Sequence, residues 1–276
     1  LLGVLSVSGA SVLFKFATAE PLVVAMYRLA FSVVLLGVPL LWHRPGRIAR
    51  RDLLLSLLSG LFLAAHFGTW FFSLKMTSVA SSTVLVTMHP FMVLLYGYFA
   101  WGERTRGWAV GGVVLAVAGA ILVSWGDFQL DAKALLGDLL AFLGAVTVSG
   151  YFLIGRHLRQ RMGALEYSVL AYGSATVVLL VAALLWGSPL TGFAPTNWSI
   201  FAGLAVFPTV FGHTLFNWAL KYVPASVISV SILGEPIGAS ILAWIIWRTA
   251  PGPMSLLGGT LILTGVGLFQ WRRETT

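Results

Sequence analysis

Apolar runs of about twenty residues, the length a helix needs to cross a bilayer, follow one another along this whole chain with only short polar stretches between them. Read between charge, Gly and Pro punctuation, they fall at approximately 1–17, 21–42, 53–74, 77–100, 107–125, 134–155, 165–187, 198–220, 223–247 and 254–271. Ten spans fill the 276 residues with little to spare. Of these residues 58% are hydrophobic and 9% charged, where soluble domains carry about a quarter charged. A soluble domain with one anchor, a secreted disulfide scaffold and a disordered region are thereby excluded. Zero Cys removes thiolate metal sites, disulfides and Cys nucleophiles. The first run begins without Met, so the natural start is expected upstream, and no small-residue cleavage site marks a signal peptide.

The formal charge of +8 would, in a soluble protein, suggest nucleic acid. Here the basic residues sit in short loops, where they fix orientation, and no base-reading module is visible, so no nucleic-acid partner is expected. Alternate loops collect Arg44, Arg47, Arg50, Arg51, Arg104, Arg106, Arg156, Arg159, Arg161, Lys221, Arg272 and Arg273 on one side. Lys15, Lys75, Lys133 and Arg248 fall on the other, with Arg28 inside a span. Twelve against four places both chain ends in the cytoplasm.

Sliding the sequence on itself by 146 residues aligns Leu74, Lys75, Val84, Pro90, Trp101, Gly112, Leu115 and Gly119 with Leu220, Lys221, Val230, Pro236, Trp247, Gly258, Leu261 and Gly265 without a gap. The unit is five spans, an odd number, so the second copy enters the membrane with opposite orientation. The expected fold is an all-α membrane protein of ten transmembrane helices in two inverted five-helix repeats, residues 1–131 and 132–276. Inverted repeats of this kind build a mid-membrane site that alternates between two access states.

The residues that carry the repeat also carry a resemblance. His89-Pro90, Trp101-Gly102-Glu103, Gly111-Gly112 and Gly119, with Gly234-Glu235-Pro236, Trp247, Gly258-Gly259 and Gly265-Val266-Gly267 in the second copy, look like the EamA-type repeat of the drug/metabolite transporter superfamily. The resemblance covers essentially the whole chain, including Tyr27-Arg28-Leu29-Ala30, which is similar to the family's usual Arg position. It implies a transporter of amino acids, other metabolites or drugs in a bacterial inner membrane, with no cofactor and no enzymatic activity. Two departures stand out: Thr249 replaces the Glu that Glu103 supplies in the first copy, and His89 sits where the second copy has Glu235.

Ionisable groups inside apolar spans are costly, which makes them functional candidates. Glu235 lies 12 residues into the ninth run, about 18 Å along a helix and so near the bilayer middle. Pro236 removes the hydrogen bond to the Ile232 carbonyl, and Ser231, one turn earlier, is expected on the same face. His89 and Pro90 occupy the matching place in span four. The two prolines are candidate gating points. His66, Trp70 and Ser73 share one helical face, as do His213 and Asn217. Trp70, Trp218, Phe14, Phe71 and Tyr151 are candidate aromatic walls, each with packing as its plainer role. Arg28, about 10 Å along the helix from Glu20, either holds a substrate carboxylate or snorkels outward. Asp138 reads as a solvated helix-start residue, and Gly107, Gly111, Gly112, Gly258, Gly259 and Gly265 as close-packing positions, with a weak homodimer seam as the alternative to a monomer.

A secondary transporter using alternating access fits best. A membrane enzyme acting on lipid needs a dense constellation of acids, His or metal ligands, and a passive channel needs a filter ring or pore loop; neither pattern is present, and no metal site is expected. The partners implied are a small-molecule substrate, the lipids around it, and protons if the carrier is coupled. Amino-acid or aromatic, amphipathic metabolite export leads, with a facilitative uniporter or a drug and organic-cation exporter as alternatives. In the chain's Cys-free background, Arg50→Cys and Arg159→Cys should label with an impermeant maleimide from the cytoplasmic face and Asp127→Cys from outside. Labelling of position 50 from outside overturns the orientation.

Overall fold

The computed structural model describes residues 1–42, 48–102, 106–123, 131–248 and 252–270. Arg44, Arg47, Glu103, Arg104, Asp127, Thr249, Arg272 and Arg273, given roles above, lie outside them. The described residues form ten helical passes that follow the ten apolar runs. Six are unbroken helices: Pro21–Trp42, Arg50–Met76, Gly107–Val123, Ala132–Leu158, Ala164–Trp186 and Pro253–Gln270. Eight passes are long and apolar enough to cross a membrane on their own measure, while Leu2–Lys15 and Gly107–Val123 are shorter. The helix ends follow ordinary electrostatics and capping. In the third pass Asp52 sits in the first turn and Lys75 in the last, each opposing the partial charge of its end. Asp131 caps the sixth by accepting from the Ala134 amide at 2.8 Å.

Four passes are irregular. The first is split into Leu2–Val7 and Ala10–Lys15, the fourth into Val79–Val86 and His89–Trp101, and the ninth into Ala225–Ile232 and Glu235–Trp247. The eighth runs Pro195–Leu204, widens into a π-helix over Ala205–Thr214, and ends as Leu215–Ala219. Pro90 and Pro236 open the second halves of the fourth and ninth passes, since neither has an amide hydrogen to continue the ladder. At the two breaks the amides of Met88 and Gly234 reach only three residues back, to Leu85 and Ser231.

The internal repeat is legible in these boundaries. Shifting Val86, His89 and Trp101 by 146 residues gives Ile232, Glu235 and Trp247, which are the corresponding helix ends. The left-handed residue that stops the fourth pass is Gly102, with φ of 66°, and its counterpart is Arg248, with φ of 58°. Packing respects the same exchange. The second pass lies along the seventh, the fifth along the tenth and the fourth against the ninth, while the third pairs with the sixth and its counterpart, the eighth, with the first. An inverted two-fold swaps each of these pairs into itself or into its mate.

The fifth and tenth passes meet at glycines. A Cβ on Gly119 would stand 2.5 Å from the Gly258 carbonyl oxygen, and one on Gly112 2.7 Å from that of Gly265. The backbones therefore touch where a side chain would normally hold them apart. Gly107 and Gly111, expected to do the same, face open space instead, and Gly259 makes only ordinary contact with Ile237. They lie on other faces of the same helices.

At the basic end, Arg156 donates to the Leu220 carbonyl at 2.6 Å and Arg161 pairs with Asp52 at 3.4 Å. Arg159 is only 3% exposed and donates through Nε to the Asn217 carbonyl at 2.8 Å. It is not the accessible labelling position the sequence suggested, because its side chain is used inside the bundle.

Overpacking a tight contact costs about 1–3 kcal/mol. Gly119→Ala should accordingly lower the melting temperature in detergent, whereas Gly111→Ala should leave it unchanged or raise it slightly. Equal melting temperatures for the two variants would show that the seam is not tight. Arg248→Gly relieves a left-handed side-chain conformation worth about 1 kcal/mol and should stabilise the chain in the same measurement.

Candidate functional site

The irregular passes converge. Near the middle of the bundle a cavity is lined by Val7 and Ala10 beside the first break, Thr87 and His89 at the fourth, His213 and Phe216 at the end of the π-helix, and Ile232 and Glu235 at the ninth. Arg28, His66, Trp70, Val86, Val148 and Phe152 complete the wall. Of the residues singled out from sequence, Arg28, His66, Trp70, His89, His213 and Glu235 are thus brought to one place by five different passes.

Their hydrogen bonds fix some atoms and leave others free. Pro90 deprives the Val86 carbonyl of its usual amide donor, and His89 supplies the substitute, with Nδ1 3.2 Å from that oxygen. A carbonyl only accepts, so Nδ1 carries the proton. His66 is held likewise, its Nδ1 2.9 Å from the Gly144 carbonyl of the sixth pass. Arg28 is 0% exposed and does not snorkel outward. Its Nε donates to Thr209 at 2.7 Å, and the guanidinium lies 4.1 Å from the centre of the Phe67 ring, a cation–π distance.

Several buried polar atoms around this cavity have no protein partner: Arg28 Nη1 and Nη2, Glu235 Oε1, His89 Nε2, His213 Nδ1 and Trp70 Nε1. Buried polar groups in folded proteins mostly have a partner; the remaining unpaired atoms among the described residues are the hydroxyls of Ser11, Thr77, Thr83 and Ser188. Unpaired atoms of both charges on one cavity wall mark a place where a polar guest completes the bonding. A guanidinium presenting two N–H-bearing nitrogens suits a carboxylate or phosphate, and a carboxyl oxygen suits an ammonium or another donor.

Asn217 and Tyr151 lie one layer away, toward the basic end. Tyr151 donates to Asn217 Oδ1 at 2.7 Å, and Asn217 Nδ2 donates to Ser168 at 3.0 Å and Tyr172 at 3.2 Å. Tyr172 in turn meets Thr214 at 3.1 Å, and Tyr167 meets Ser59 at 2.6 Å. The three tyrosines are fully buried. This hydroxyl network ties the third, sixth, seventh and eighth passes between the cavity and Arg159.

Other expectations are corrected. Trp218 is 51% exposed and packs on Tyr222; one residue past the inward Asn217, it is rotated about 100° round the helix. Phe14 and Phe71 stack on each other with centroids 4.4 Å apart and do not line the cavity. Ser231 accepts from Gln270 at 3.2 Å on the tenth pass, because the break after Ile232 turns it away from Glu235. Asp138 accepts from Ser81 at 2.7 Å, bridging the sixth and fourth passes rather than only water. Phe152, Phe216 and Thr209 were missed. Phe216 stands three residues after His213, a helical signal that pointed to it, whereas Thr209 lies inside the π-helix, where α-helical spacing does not apply.

The comparisons with known proteins agree with this architecture. An uncharacterized transporter of Archaeoglobus fulgidus is 25% identical over 271 residues, 95% of this chain and 92% of its own. The pseudopaline exporter CntI of Pseudomonas aeruginosa is 23% identical over 94% of this chain and 89% of its own. A probable terminal-alkyne amino-acid exporter of Streptantibioticus cattleyicolor is 28% identical over 70% and 64%. A solved crystal structure superposes with a TM-score of 0.81, covering 100% of this chain and 96% of that one at 18% identity, which supports the fold alone. The EamA-like transporter family model matches twice, at residues 1–125 and 135–270. With two matches that take in nearly all of its length, one for each run of five passes, this integral membrane protein belongs to the EamA-like transporter family.

Proposed function

We propose that this chain is a secondary transporter that exports a small zwitterionic metabolite, an amino acid or a close relative, by alternating access. The observation that carries the reading is the pairing, on one cavity wall, of Arg28 Nη1 and Nη2 with Glu235 Oε1, all buried and without protein partners. A carboxylate answers the first and an ammonium the second, and the aromatic surfaces of Trp70, Phe152 and Phe216 would hold an apolar side chain between them. Export is favoured by two relatives, one named as a pseudopaline exporter and one as a probable amino-acid exporter. The positive-inside count favours both termini cytoplasmic, and the bacterial exporters among the relatives favour a bacterial inner membrane.

In this reading His66, Trp70, His89 and His213 surround the substrate, while Asn217 and Tyr151 act from the hydroxyl network that closes the basic end. The breaks at Pro90 and Pro236 serve as gates, since a helix already interrupted can tilt its halves without breaking further bonds. Glu235 has a second use. Pro236 leaves the Ile232 carbonyl without an amide donor, and unlike His89 in the first copy a carboxylate cannot donate to it. A protonated Glu235 can. Export coupled to proton exchange at Glu235 follows, with uniport as the competing reading.

Proteoliposome uptake across amino acids, amines and organic cations, with and without a pH gradient, tests the assignment. Amino acids should be carried, with counterflow faster under the gradient. Glu235→Gln keeps size and hydrogen bonding but cannot ionise. It should lose the response to the pH gradient while still exchanging substrate down its own gradient. Unchanged rate, affinity and pH response in that variant would reduce Glu235 to a structural group.

A further inference from the structure

The π-helix of the eighth pass places a hydroxyl where an α-helix would not. Thr209 donates to the Leu204 carbonyl at 2.8 Å, five residues back, and Thr214 repeats the pattern onto Thr209 at 3.1 Å. In an α-helix such a hydroxyl reaches three or four residues back. With its one proton committed to Leu204, the Thr209 oxygen can only accept from its other neighbour, and that neighbour is Arg28 Nε at 2.7 Å. The arrangement is braced. Ser32, one turn after Arg28, donates to the Arg28 carbonyl at 2.8 Å and approaches the Ala205 carbonyl at 3.4 Å, joining the second pass to the start of the π-helix. The Phe67 ring covers the guanidinium.

A guanidinium offers a carboxylate two kinds of edge, the side that includes Nε or the end made by Nη1 and Nη2. Thr209 occupies Nε, and both Nη atoms are buried without partners. We infer that Thr209 is a positioning residue for substrate recognition: by holding Nε it aims the Nη1–Nη2 end of Arg28 into the cavity, where it takes the substrate's carboxylate end-on through both nitrogens. The inference rests on the amino-acid reading given above and adds the residue that sets the geometry of carboxylate selection. It also gives the π-helix a task, since the five-residue offset is what turns the hydroxyl toward the second pass.

The test compares amino acids with the amines left by removing the carboxylate, on purified full-length protein in detergent. L-phenylalanine, L-leucine and L-histidine are titrated against phenethylamine, isoamylamine and histamine, by calorimetry or melting-temperature shift. Thr209→Val removes the hydroxyl at constant size and should weaken amino-acid binding by about tenfold, the scale of one hydrogen bond to a charged group. Binding of the amines should be unchanged, and Thr209→Ser should restore the amino acids. If Thr209→Val folds poorly, Thr209→Ala carries the same comparison. Amino acids bound as tightly by the hydroxyl-free variants as by the native protein would overturn the proposal, as would equal weakening of amino acids and amines. A native protein that binds the amines and none of the amino acids would instead overturn the amino-acid reading, and this proposal with it.

Discussion

In hydrocarbon a backbone amide or carbonyl has no water to turn to, so each must be satisfied within the protein. That constraint explains where this fold is regular and where it is not. The passes that face lipid most broadly, such as Ala164–Trp186, are unbroken helices. The interrupted passes, the first, fourth, eighth and ninth, border the cavity with their irregular stretches. There the freed groups find substitutes, as the Val86 carbonyl does in His89 and the Leu204 carbonyl in Thr209. A helix break is tolerated where protein surrounds it, and the same break supplies polar atoms at the depth where a site is needed.

The two-fold repeat organises the scaffold but not its chemistry. Gly112 against Gly265 and Gly119 against Gly258 are one contact seen twice under the 146-residue exchange, and the fourth and ninth passes break at equivalent residues. The side chains at those breaks differ. His89 donates to its own freed carbonyl and is internally satisfied on that side, whereas Glu235 keeps Oε1 without a partner. Arg28 and Thr209 are not repeated either: the 146-residue exchange takes Arg28 to Ser174 on the seventh pass and Thr209 to Leu63 on the third, so neither the cation nor its hydroxyl partner has a like counterpart. A symmetric frame therefore holds an asymmetric, dipolar cavity.

Polar groups are layered along the bundle. The cavity layer leaves several donors and acceptors open, while the next layer, Tyr151, Asn217, Ser168, Tyr172 and Thr214, is closed upon itself through hydrogen bonds of 2.7 to 3.2 Å. Satisfied networks rigidify, whereas the cavity layer keeps donors and acceptors that a polar guest could meet. Arg159 extends the closed layer to the basic end by bonding the Asn217 carbonyl. The saturation of that layer and the openness of the cavity layer are two results of the same count of donors and acceptors.

The sequence by itself determined the ten passes, the repeat and the identity of most polar cavity groups. Apolar run length, a gap-free shift of 146 residues and the rarity of ionisable residues in lipid are all local properties of a chain, and Arg28, His66, His89, His213 and Glu235 stood out by them. Only the tertiary structure decided which of these share a wall, which atoms remain unpaired, and how neighbouring positions divide. His213 faces the cavity while Asn217, one turn on, joins the hydroxyl network, and Trp218 leaves the bundle. The π-helix was hidden for the same reason. Its wider winding is stabilised by partners on other passes, Arg28 and Tyr172 among them, and a long-range partner leaves no periodic trace in the sequence around Thr209.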